Sequence, residues 1–503
     1  MIEQLIKSEN DRKSNVVAEE QLKDIEKYLK EHENKEMLRF ITCGSVDDGK
    51  STLIGRLLYD SKTIFEDQLS SAKKDSRKFG TTGEEIDFAL LIDGLQSERE
   101  QGITIDVAYR FFATDRRKYI IADTPGHEQY TRNMVTGAST ANLAIILTDA
   151  RKGVLTQTRR HSYIASLLGI KHILVAVNKM DLVDFSQERF EEIKREYEEE
   201  VIKKLPTDDS LLSSIDFIPL SALKGDNVVS LSVNMEWYSG KPLLEYLDTV
   251  EIAKDINLET FRFPVQYVNR PNLDFRGFSG TITSGSVRVG DEITVLPSGK
   301  RSKIKSIINA GDISERNCLE SNVEHFRPDI EYYAPMAVTI TLEDEIDISR
   351  GDMIVKADDP LETSETIEAM VVWMDEEPLK TGREYEIKRA TTVIDAVFET
   401  IHFKKDVNSW EEIETSELAL NEIGECTLAL TRKIACDNYG AIKGTGSFIV
   451  IDKITNHTVG AGMIVGTSAK SASSKRAYNR AEIELNAYIR KHYPEWGCAK
   501  IGE

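Results

Sequence analysis

The 503-residue sequence has few cysteines and no long apolar stretch. No apolar run approaches the roughly 18 residues that span a bilayer, and the acidic, polar start does not resemble a signal peptide. The cysteines show neither metal-ligand nor paired spacing, so we expect incidental thiols rather than disulfides or a zinc site. They are Cys43, Cys318, Cys426, Cys436 and Cys498. We therefore expect a cytoplasmic protein without membrane contact.

An excess of basic residues is missing too. The chain has 64 Lys and Arg against 85 Asp and Glu, a formal net charge of −21. A broad nucleic-acid-binding surface needs clustered Lys and Arg to neutralise phosphates. The basic segment 300–305 alternates like the exposed face of a strand, so we interpret it as solvated. Nucleic acid is therefore not an expected partner.

A phosphate-binding loop is present. The pattern G-x-x-x-x-G-K-S lies between an apolar segment, residues 38–43, and an amphipathic segment, residues 52–58. Backbone N–H groups of such a loop point at phosphates, Lys50 adds a charge near the β- and γ-phosphates, and the Ser51 hydroxyl binds Mg²⁺. The loop consists of Gly44, Ser45, Val46, Asp47, Asp48, Gly49, Lys50 and Ser51.

A second motif follows the strand-like run of residues 119–122. Its first residue, Asp123, emerges at a strand end, where a carboxylate can hold Mg²⁺ through water. The N–H of Gly126 can sense the γ-phosphate. The motif consists of Asp123, Thr124, Pro125, Gly126 and His127. It predicts a switch segment next to the phosphate loop.

Two later motifs read the base. Asp181 can accept hydrogen bonds from N1–H and the exocyclic amine of guanine, which adenine lacks in that arrangement. A buried carboxylate left unpaired rejects the wrong base by roughly 10⁴-fold. The first motif is Asn178, Lys179, Met180 and Asp181; the second, which would close over the guanine from the backbone side, is Ser221, Ala222 and Leu223. The sequence predicts GTP rather than ATP.

The hydrophobic period changes along the chain. Helix-length segments alternate with apolar strand-like runs up to about residue 250, and short strands separated by Gly, Asp and Ser follow. We predict an N-terminal helical extension (1–36), an α/β P-loop GTPase domain (37–250), two small all-β barrels (258–357 and 365–468) and a partly helical tail (469–503).

These motifs resemble those of translation-factor GTPases, and most closely the large GTP-binding subunits of two-component bacterial sulfate adenylyltransferases. The phosphate loop has Asp47-Asp48 where elongation factors usually carry Asp-His or Asp-Ser. The stretch 53–60 and the ending 448–463 are also similar to that family. The resemblance covers about residues 39–463 and implies the three-domain architecture of elongation factors.

The resemblance also implies an activity and a partner. Such subunits hydrolyse GTP and pair with a smaller catalytic subunit that binds ATP and sulfate and makes adenylyl sulfate and pyrophosphate. Thr104 would be the switch threonine that binds Mg²⁺, and His127 would position the attacking water. Some relatives carry a fused adenylylsulfate kinase domain, but no second phosphate loop occurs beyond residue 251, so we expect no kinase activity.

Three functions remain open at this point. The first is the GTPase subunit of sulfate adenylyltransferase. The second is a translation GTPase that delivers aminoacyl-tRNA, which predicts salt-dependent RNA binding. The third is a GTP-dependent scaffold without a metabolic substrate.

Overall fold

The computed structural model describes most of the chain between residues 35 and 467. The described residues are 35–61, 88, 106–126, 131–205, 214–252, 257–272, 275–309, 330–359, 361–406, 409–467, 486, 488, 490 and 491. Nearly all of the predicted N-terminal extension and C-terminal tail lies outside them.

The chain divides into two compact units. One contains the described residues up to 257 together with 405–413 and 420–422, and the other contains the rest. Every helix that the structure describes is too short or too polar to traverse a lipid bilayer.

The first unit is built on a six-stranded sheet. Its strands are β1 (Met37–Cys43), β2 (Ala108–Ala113), β3 (Lys118–Asp123), β4 (Leu143–Asp149), β5 (His172–Asn178) and β6 (Ser214–Pro219). Their order is β2-β3-β1-β4-β5-β6, with β2 antiparallel to β3 and the other neighbours parallel. Every residue of β4 and β5 is buried, as expected for strands covered on both faces.

Five helices accompany this sheet in the described residues: α1 (Lys50–Asp60), α2 (Thr131–Ala138), α3 (Thr156–Leu167), α4 (Gln187–Glu200) and α5 (Leu243–Thr249). The Glu-rich α4 buries Phe190, Ile193 and Tyr197 at helical spacing and exposes most of its charges. Ser186 begins this helix by accepting a hydrogen bond from the Arg189 N–H.

The second unit contains two β-rich bodies, apart from residues 405–413 and 420–422 of the second body, which group with the first unit. The strands of the first are β7 (Arg262–Pro264), β8 (Tyr267–Asn269), β9 (Gly277–Thr281), β10 (Ser286–Val287), β11 (Glu292–Leu296), β12 (Lys300–Asn309), β13 (Tyr332–Tyr333), β14 (Ala337–Leu342) and β15 (Met353–Lys356). Seven of them form the sheet β7-β15-β11-β12-β14-β9-β8. In β12 the exposed basic residues of segment 300–305 alternate with buried Ser302 and Ile304, which confirms the predicted solvated strand face.

The second body follows from Thr363. Its strands are β16 (Thr363–Trp373), β17 (Leu379–Lys380), β18 (Glu384–Arg389), β19 (Thr392–Lys405), β20 (Glu412–Ile413), β21 (Glu417–Leu418), β22 (Ile423–Ala435), β23 (Ser447–Ile451) and β24 (Thr458–Gly466), with a short helix α6 (Lys443–Gly446) before β23. The sheet order is β18-β23-β24-β16-β22-β19-β20, and β18 also pairs with β19. That extra pairing closes the sheet into a barrel. The first strand of this body begins two residues before the predicted domain boundary at 365. The predicted domain boundaries remain predictions.

Candidate guanine-nucleotide site

All the predicted nucleotide motifs follow strands of the parallel sheet. They begin at or within two residues of the ends of β1, β3, β5 and β6, so they meet at the carboxyl edge of the sheet. Since β1 lies between β3 and β4, the chain leaves β1 at the point where the strand order reverses, and open α/β sheets bind their ligands there.

The phosphate loop needs glycine at two positions. Gly44 has a φ of 152°, and a Cβ there would lie 2.9 Å from the Leu147 carbonyl oxygen. Gly49 directly precedes α1 with a φ of 90°, and a Cβ there would lie 2.5 Å from Asn178 Nδ2. Because neither glycine has a Cβ, the loop can approach β4 and the base-reading motif closely. The start of α1 then presents backbone N–H groups, a favourable place for a phosphate.

Lys50 is a buried cation within this loop. Its Nζ donates to the carbonyl oxygens of Gly44 (3.1 Å) and Ser45 (2.9 Å). Burial lowers the pKa of Lys50, and the nearby carboxylates of Asp123 and Asp48 oppose that shift. A poorly hydrated ammonium group at this position interacts strongly with a phosphate.

Asp48 acts on the loop itself. One oxygen of its buried carboxylate accepts a hydrogen bond from the Ser45 N–H at 2.6 Å, and the other has no hydrogen-bond partner among the described residues. Burial raises the pKa of this carboxyl. The Asp48 carbonyl also accepts a hydrogen bond from Asn178 Nδ2 at 2.7 Å, which ties the phosphate loop to the base-reading motif.

The second motif packs tightly against the loop. Thr42 donates its hydroxyl hydrogen to Asp123 Oδ1 at 3.2 Å, and Thr124 donates its own to the Thr42 carbonyl at 2.7 Å. A Cβ on Gly126 would lie 2.5 Å from Lys50 Nζ. Pro125 and Gly126 are buried. The motif therefore packs directly against the loop, and at position 126 there is room only for a glycine.

The donor set next to the loop suits Mg²⁺. Ser51 lies in the first turn of α1, and Asp123 is the last residue of β3. Both residues have side-chain oxygen atoms that can act as metal ligands, and their elements are neighbours. Mg²⁺ is usually held by one or two such protein groups together with waters and substrate phosphates. The residues present therefore fit a magnesium–nucleotide complex.

The base-reading motifs contact each other. Asn178 Oδ1 accepts from the Ala222 N–H at 2.9 Å, and the Ser221 hydroxyl donates to Asp181 Oδ1 at 2.7 Å. The Met180 N–H donates to the Leu220 carbonyl at 3.2 Å, and the Met180 side chain is buried. The structure thus brings the Asn178–Asp181 and Ser221–Leu223 motifs together around the Asp181 carboxylate, as a base-binding pocket requires.

Lys179 connects these motifs to the phosphate loop. It has a left-handed conformation with a φ of 65°, and its Nζ donates to the Asp47 carbonyl. The same Nζ lies 3.1 Å from Asp149 Oδ2. Lys179 therefore holds the loop and the end of β4 at the same time.

Asp149 contacts the nucleotide motifs through Lys179, and sequence reasoning missed it. Burial alone would raise its pKa, but hydrogen bonds from Arg151 and Lys179 outweigh burial and hold the pKa well below its usual range. Arg151 donates to Asp149 Oδ1 at 3.0 Å and to Oδ2 at 2.7 Å. A signal was available, because Asp149 ends an apolar strand as Asp123 does and so lies at the same sheet edge.

Two predicted residues cannot be placed. Thr104, the predicted switch threonine, and His127, the predicted water-positioning residue, both lie outside the described residues. The other predicted site residues are all described, and each lies at the carboxyl edge of the sheet or in the loop, turn or first helical turn that follows it.

Two known domain families match the chain. The Elongation factor Tu GTP binding domain matches residues 35–252, and the GTP-eEF1A C-terminal domain-like family matches residues 366–465. Together with the β-barrels of the second unit, these matches confirm the predicted fold class, a P-loop GTPase domain followed by two small barrels.

Curated relatives match nearly the whole chain. "Sulfate adenylyltransferase subunit 1" of Sulfurovum sp. (strain NBC37-1) is 61% identical over 95% of this chain and 98% of its own length. The proteins of the same name from Aliarcobacter butzleri (strain RM4018) and Teredinibacter turnerae (strain ATCC 39867 / T7901) are 58% and 56% identical, with the same two coverages. The chain therefore belongs to the family of sulfate adenylyltransferase subunits 1, within the elongation-factor-like GTPases.

Proposed function

We propose that this chain is the GTP-hydrolysing subunit of a two-component sulfate adenylyltransferase in sulfate assimilation, working in the cytoplasm as a heterodimer with a smaller catalytic subunit. The observation that carries the proposal is the identity of 56–61% to proteins named for that subunit over 95% of the chain. The assembled motifs at the sheet edge supply the nucleotide chemistry.

In this proposal the phosphate loop, residues 44–51, holds the phosphates of GTP. Its N–H groups and the Lys50 ammonium neutralise the β- and γ-phosphates, and the glycines let the backbone approach them. Ser51, Asp123 and Thr104 would hold Mg²⁺, which would neutralise charge on the phosphates. Gly126, buried against Lys50, registers whether a γ-phosphate is present.

Guanine selection rests on Asp181. Its carboxylate accepts from N1–H and the exocyclic amine of guanine, and Ser221 orients it through the 2.7 Å hydrogen bond. Asn178 holds Ala222 and the phosphate loop in one arrangement. A pocket held this way rejects adenine because the carboxylate would be left unpaired.

Hydrolysis rests on His127 in this proposal. Placed just after Gly126, His127 would orient the attacking water toward the γ-phosphate, as the family resemblance implies. Loss of the γ-phosphate would release Thr104 and the switch segment. The release gives the chain two states that a partner can distinguish.

The proposed partner reaction explains the need for GTP. Formation of the phosphosulfate anhydride of adenylyl sulfate from ATP and sulfate is strongly uphill, so a coupled hydrolysis can supply driving force. The name "subunit 1" of the relatives implies a further subunit. We propose that it is the smaller protein that binds ATP and sulfate.

The translation-factor alternative has less support. Relatives that are 56–61% identical to the chain carry the sulfate adenylyltransferase name. The net charge of −21 also disfavours a broad tRNA-binding surface.

The test measures GTP hydrolysis by the purified chain, alone and with the smaller subunit, ATP and sulfate, while pyrophosphate and adenylyl sulfate are followed. Hydrolysis that rises with these additions, with adenylyl sulfate forming in step, supports the proposal. Turnover that is indifferent to all three additions contradicts it, and stimulation by ribosomes instead would favour the translation-factor alternative.

A further inference from the structure

Arg56 connects the helix that follows the phosphate loop to the loop that closes over the base. It lies in α1, and its Nε donates to the Ala222 carbonyl at 3.2 Å. Its Nη2 donates to the Leu223 carbonyl. No nucleotide motif includes Arg56, and 166 residues separate it from Ala222. The contact is therefore a product of the fold alone.

The Arg56 side chain is held from several sides. Its guanidinium carbon lies 4.2 Å from the centre of the Phe88 ring, and its Nη1 lies 3.7 Å from Asp60 Oδ1. Only 15% of the side chain is exposed. Gly225, with a φ of 86°, brings its backbone so close that a Cβ there would lie 3.6 Å from the guanidinium. A planar donor group fixed in this way can orient the carbonyls that it binds.

A chain of hydrogen bonds leads from Arg56 to Asp181. The Leu223 carbonyl and the Lys224 N–H belong to one trans peptide and point in opposite directions. Because Arg56 fixes that carbonyl, it also directs the Lys224 N–H toward the Ser221 hydroxyl, which accepts it at 3.2 Å. That hydroxyl in turn donates to Asp181 Oδ1 at 2.7 Å.

We propose that Arg56 is a positioning residue for guanine recognition, which acts on Asp181 through the Leu223–Lys224 peptide and the Ser221 hydroxyl. This inference rests on the proposed role of Asp181 as the residue that reads the base. Arg56 belongs to neither the phosphate loop nor the predicted guanine-binding motifs, and its hydrogen bonds go to backbone carbonyls. Its loss should therefore weaken contacts to the guanine edge and leave phosphate binding nearly intact.

The test compares the Kd values of GDP, IDP and XDP by calorimetry with Mg²⁺ present. Hypoxanthine keeps N1–H but lacks the exocyclic amine, so IDP can form only one of the two hydrogen bonds to Asp181 and should depend less on its position. We expect Arg56→Met to raise the Kd of GDP about tenfold, the size of one charge-assisted hydrogen bond. We expect it to change the Kd of IDP less than about threefold. Arg56→Lys, which keeps one donor, should retain part of the preference and remains testable if Arg56→Met does not fold.

Two controls separate this inference from the site on which it rests. Asp60→Asn removes the carboxylate beside Arg56 but leaves the carbonyl contacts, so the GDP preference should stay within about twofold of the wild-type value. Asp181→Asn should gain affinity for XDP, whose extra carbonyl suits an amide donor.

The outcomes are distinct. Suppose that Asp181→Asn gains affinity for XDP but Arg56→Met leaves the ratio of the GDP and IDP Kd values unchanged. Arg56 is then only a structural contact. If Asp181→Asn keeps the wild-type preference, the proposed base site fails, and the role of Arg56 fails with it.

Discussion

At the scale of single residues, Lys50 is unusual because the protein itself buries its charged ammonium group. Only 7% of the residue is exposed, and its ammonium group is held by two carbonyl oxygens of its own loop. A carbonyl dipole compensates a buried cation less well than a phosphate does. A phosphate bound at this loop would therefore stabilise the Lys50 ammonium group better than the two carbonyl oxygens do.

We predict that Lys50→Ala weakens GDP and GTP binding about 10²-fold, because charge-assisted hydrogen bonds contribute about 1.5–3 kcal/mol each. Calorimetric titration with each nucleotide measures the loss. Lys203→Ala, at an exposed lysine in the same unit, is the matched control and should bind normally. An unchanged affinity in Lys50→Ala would remove the assignment of the phosphate loop.

His161 in α3 is a second buried group with a measurable consequence. It is 3% exposed, and its Nδ1 has no hydrogen-bond partner among the described residues. Burial lowers the pKa of His161 to about 3, with smaller contributions from the Lys50 and Arg160 charges. The ring is therefore neutral in the folded protein near neutral pH.

The free energy of unfolding should fall as pH decreases from about 6.5 toward 3, because only the unfolded chain then takes up a proton at this histidine. His161→Gln should remove up to about 1.4 kcal/mol per pH unit of this dependence. Urea denaturation at pH 7 and pH 5 measures it, with the exposed His457→Gln as control. Equal slopes in wild type and His161→Gln would show that His161 is not the group responsible.

Sequence reasoning identified site residues where chemistry and spacing coincide in a short segment. Asp123, Asn178 and Asp181 were found this way; Asp123 and Asn178 end strands, and Asp181 follows three residues after the end of β5. Arg56 was not found, because its contacts are with carbonyls that only the fold brings near. Asp149 was overlooked although it ends an apolar strand, because no nucleotide motif contains it. A single arginine in a helix carries no local signal of a carbonyl that is far away in sequence.

At the scale of elements, the contact between the loop after β3 and the phosphate loop depends on one missing side chain. A Cβ on Gly126 would lie 2.5 Å from Lys50 Nζ and 2.6 Å from the Gly44 carbonyl oxygen. The lysine end can move, but the carbonyl belongs to a backbone that is itself fixed against β4. The segment after β3 would therefore have to shift.

We predict that Gly126→Ala slows GTP hydrolysis by about 10²-fold, the usual effect of misplacing reacting groups by about 1 Å. GDP affinity should change much less, since GDP has no γ-phosphate for Gly126 to sense. Single-turnover hydrolysis and GDP titration measure the two effects. Gly466→Ala controls for alanine at a glycine position, because a Cβ there would come no closer than 3.9 Å, to the Glu368 carboxylate. Normal turnover in Gly126→Ala would contradict the proposed sensing role.

Periodicity predicted the elements better than their partners. The apolar run 173–177 lies in β5, and the run 38–43 lies in β1. The order of the barrel strands could not be predicted, because alternation shows which face of a strand is buried but not which strand lies beside it. The pairing of β16 with β22, for example, joins Ala369 to Cys426.

At the scale of the whole molecule, the second unit holds its two β-rich bodies together with a buried ion pair. Arg262 in β7 is 3% exposed, and its Nε lies 3.0 Å from both carboxylate oxygens of Asp437. Its Nη1 donates to Asp359 Oδ2 at 2.8 Å. Thr445 also donates to Asp437, at 2.6 Å. Removal of Arg262 would leave the largely buried Asp437 carboxylate with the Thr445 hydroxyl and the charge of Arg389 as its partners among the described residues.

We predict that Arg262→Met lowers the free energy of unfolding of the second unit by about 3–5 kcal/mol, because a buried charge loses its partner. Adding Asp437→Asn to Arg262→Met should recover part of the loss, because the uncompensated charge is then gone. The Kd of GDP should stay within about twofold of wild type, since every described nucleotide-site residue belongs to the first unit. Urea denaturation with and without GDP measures both quantities. A loss below about 1 kcal/mol would mean that Arg262 behaves as an exposed pair, and a large rise in the Kd of GDP would mean that the stability of the barrels and nucleotide binding are coupled.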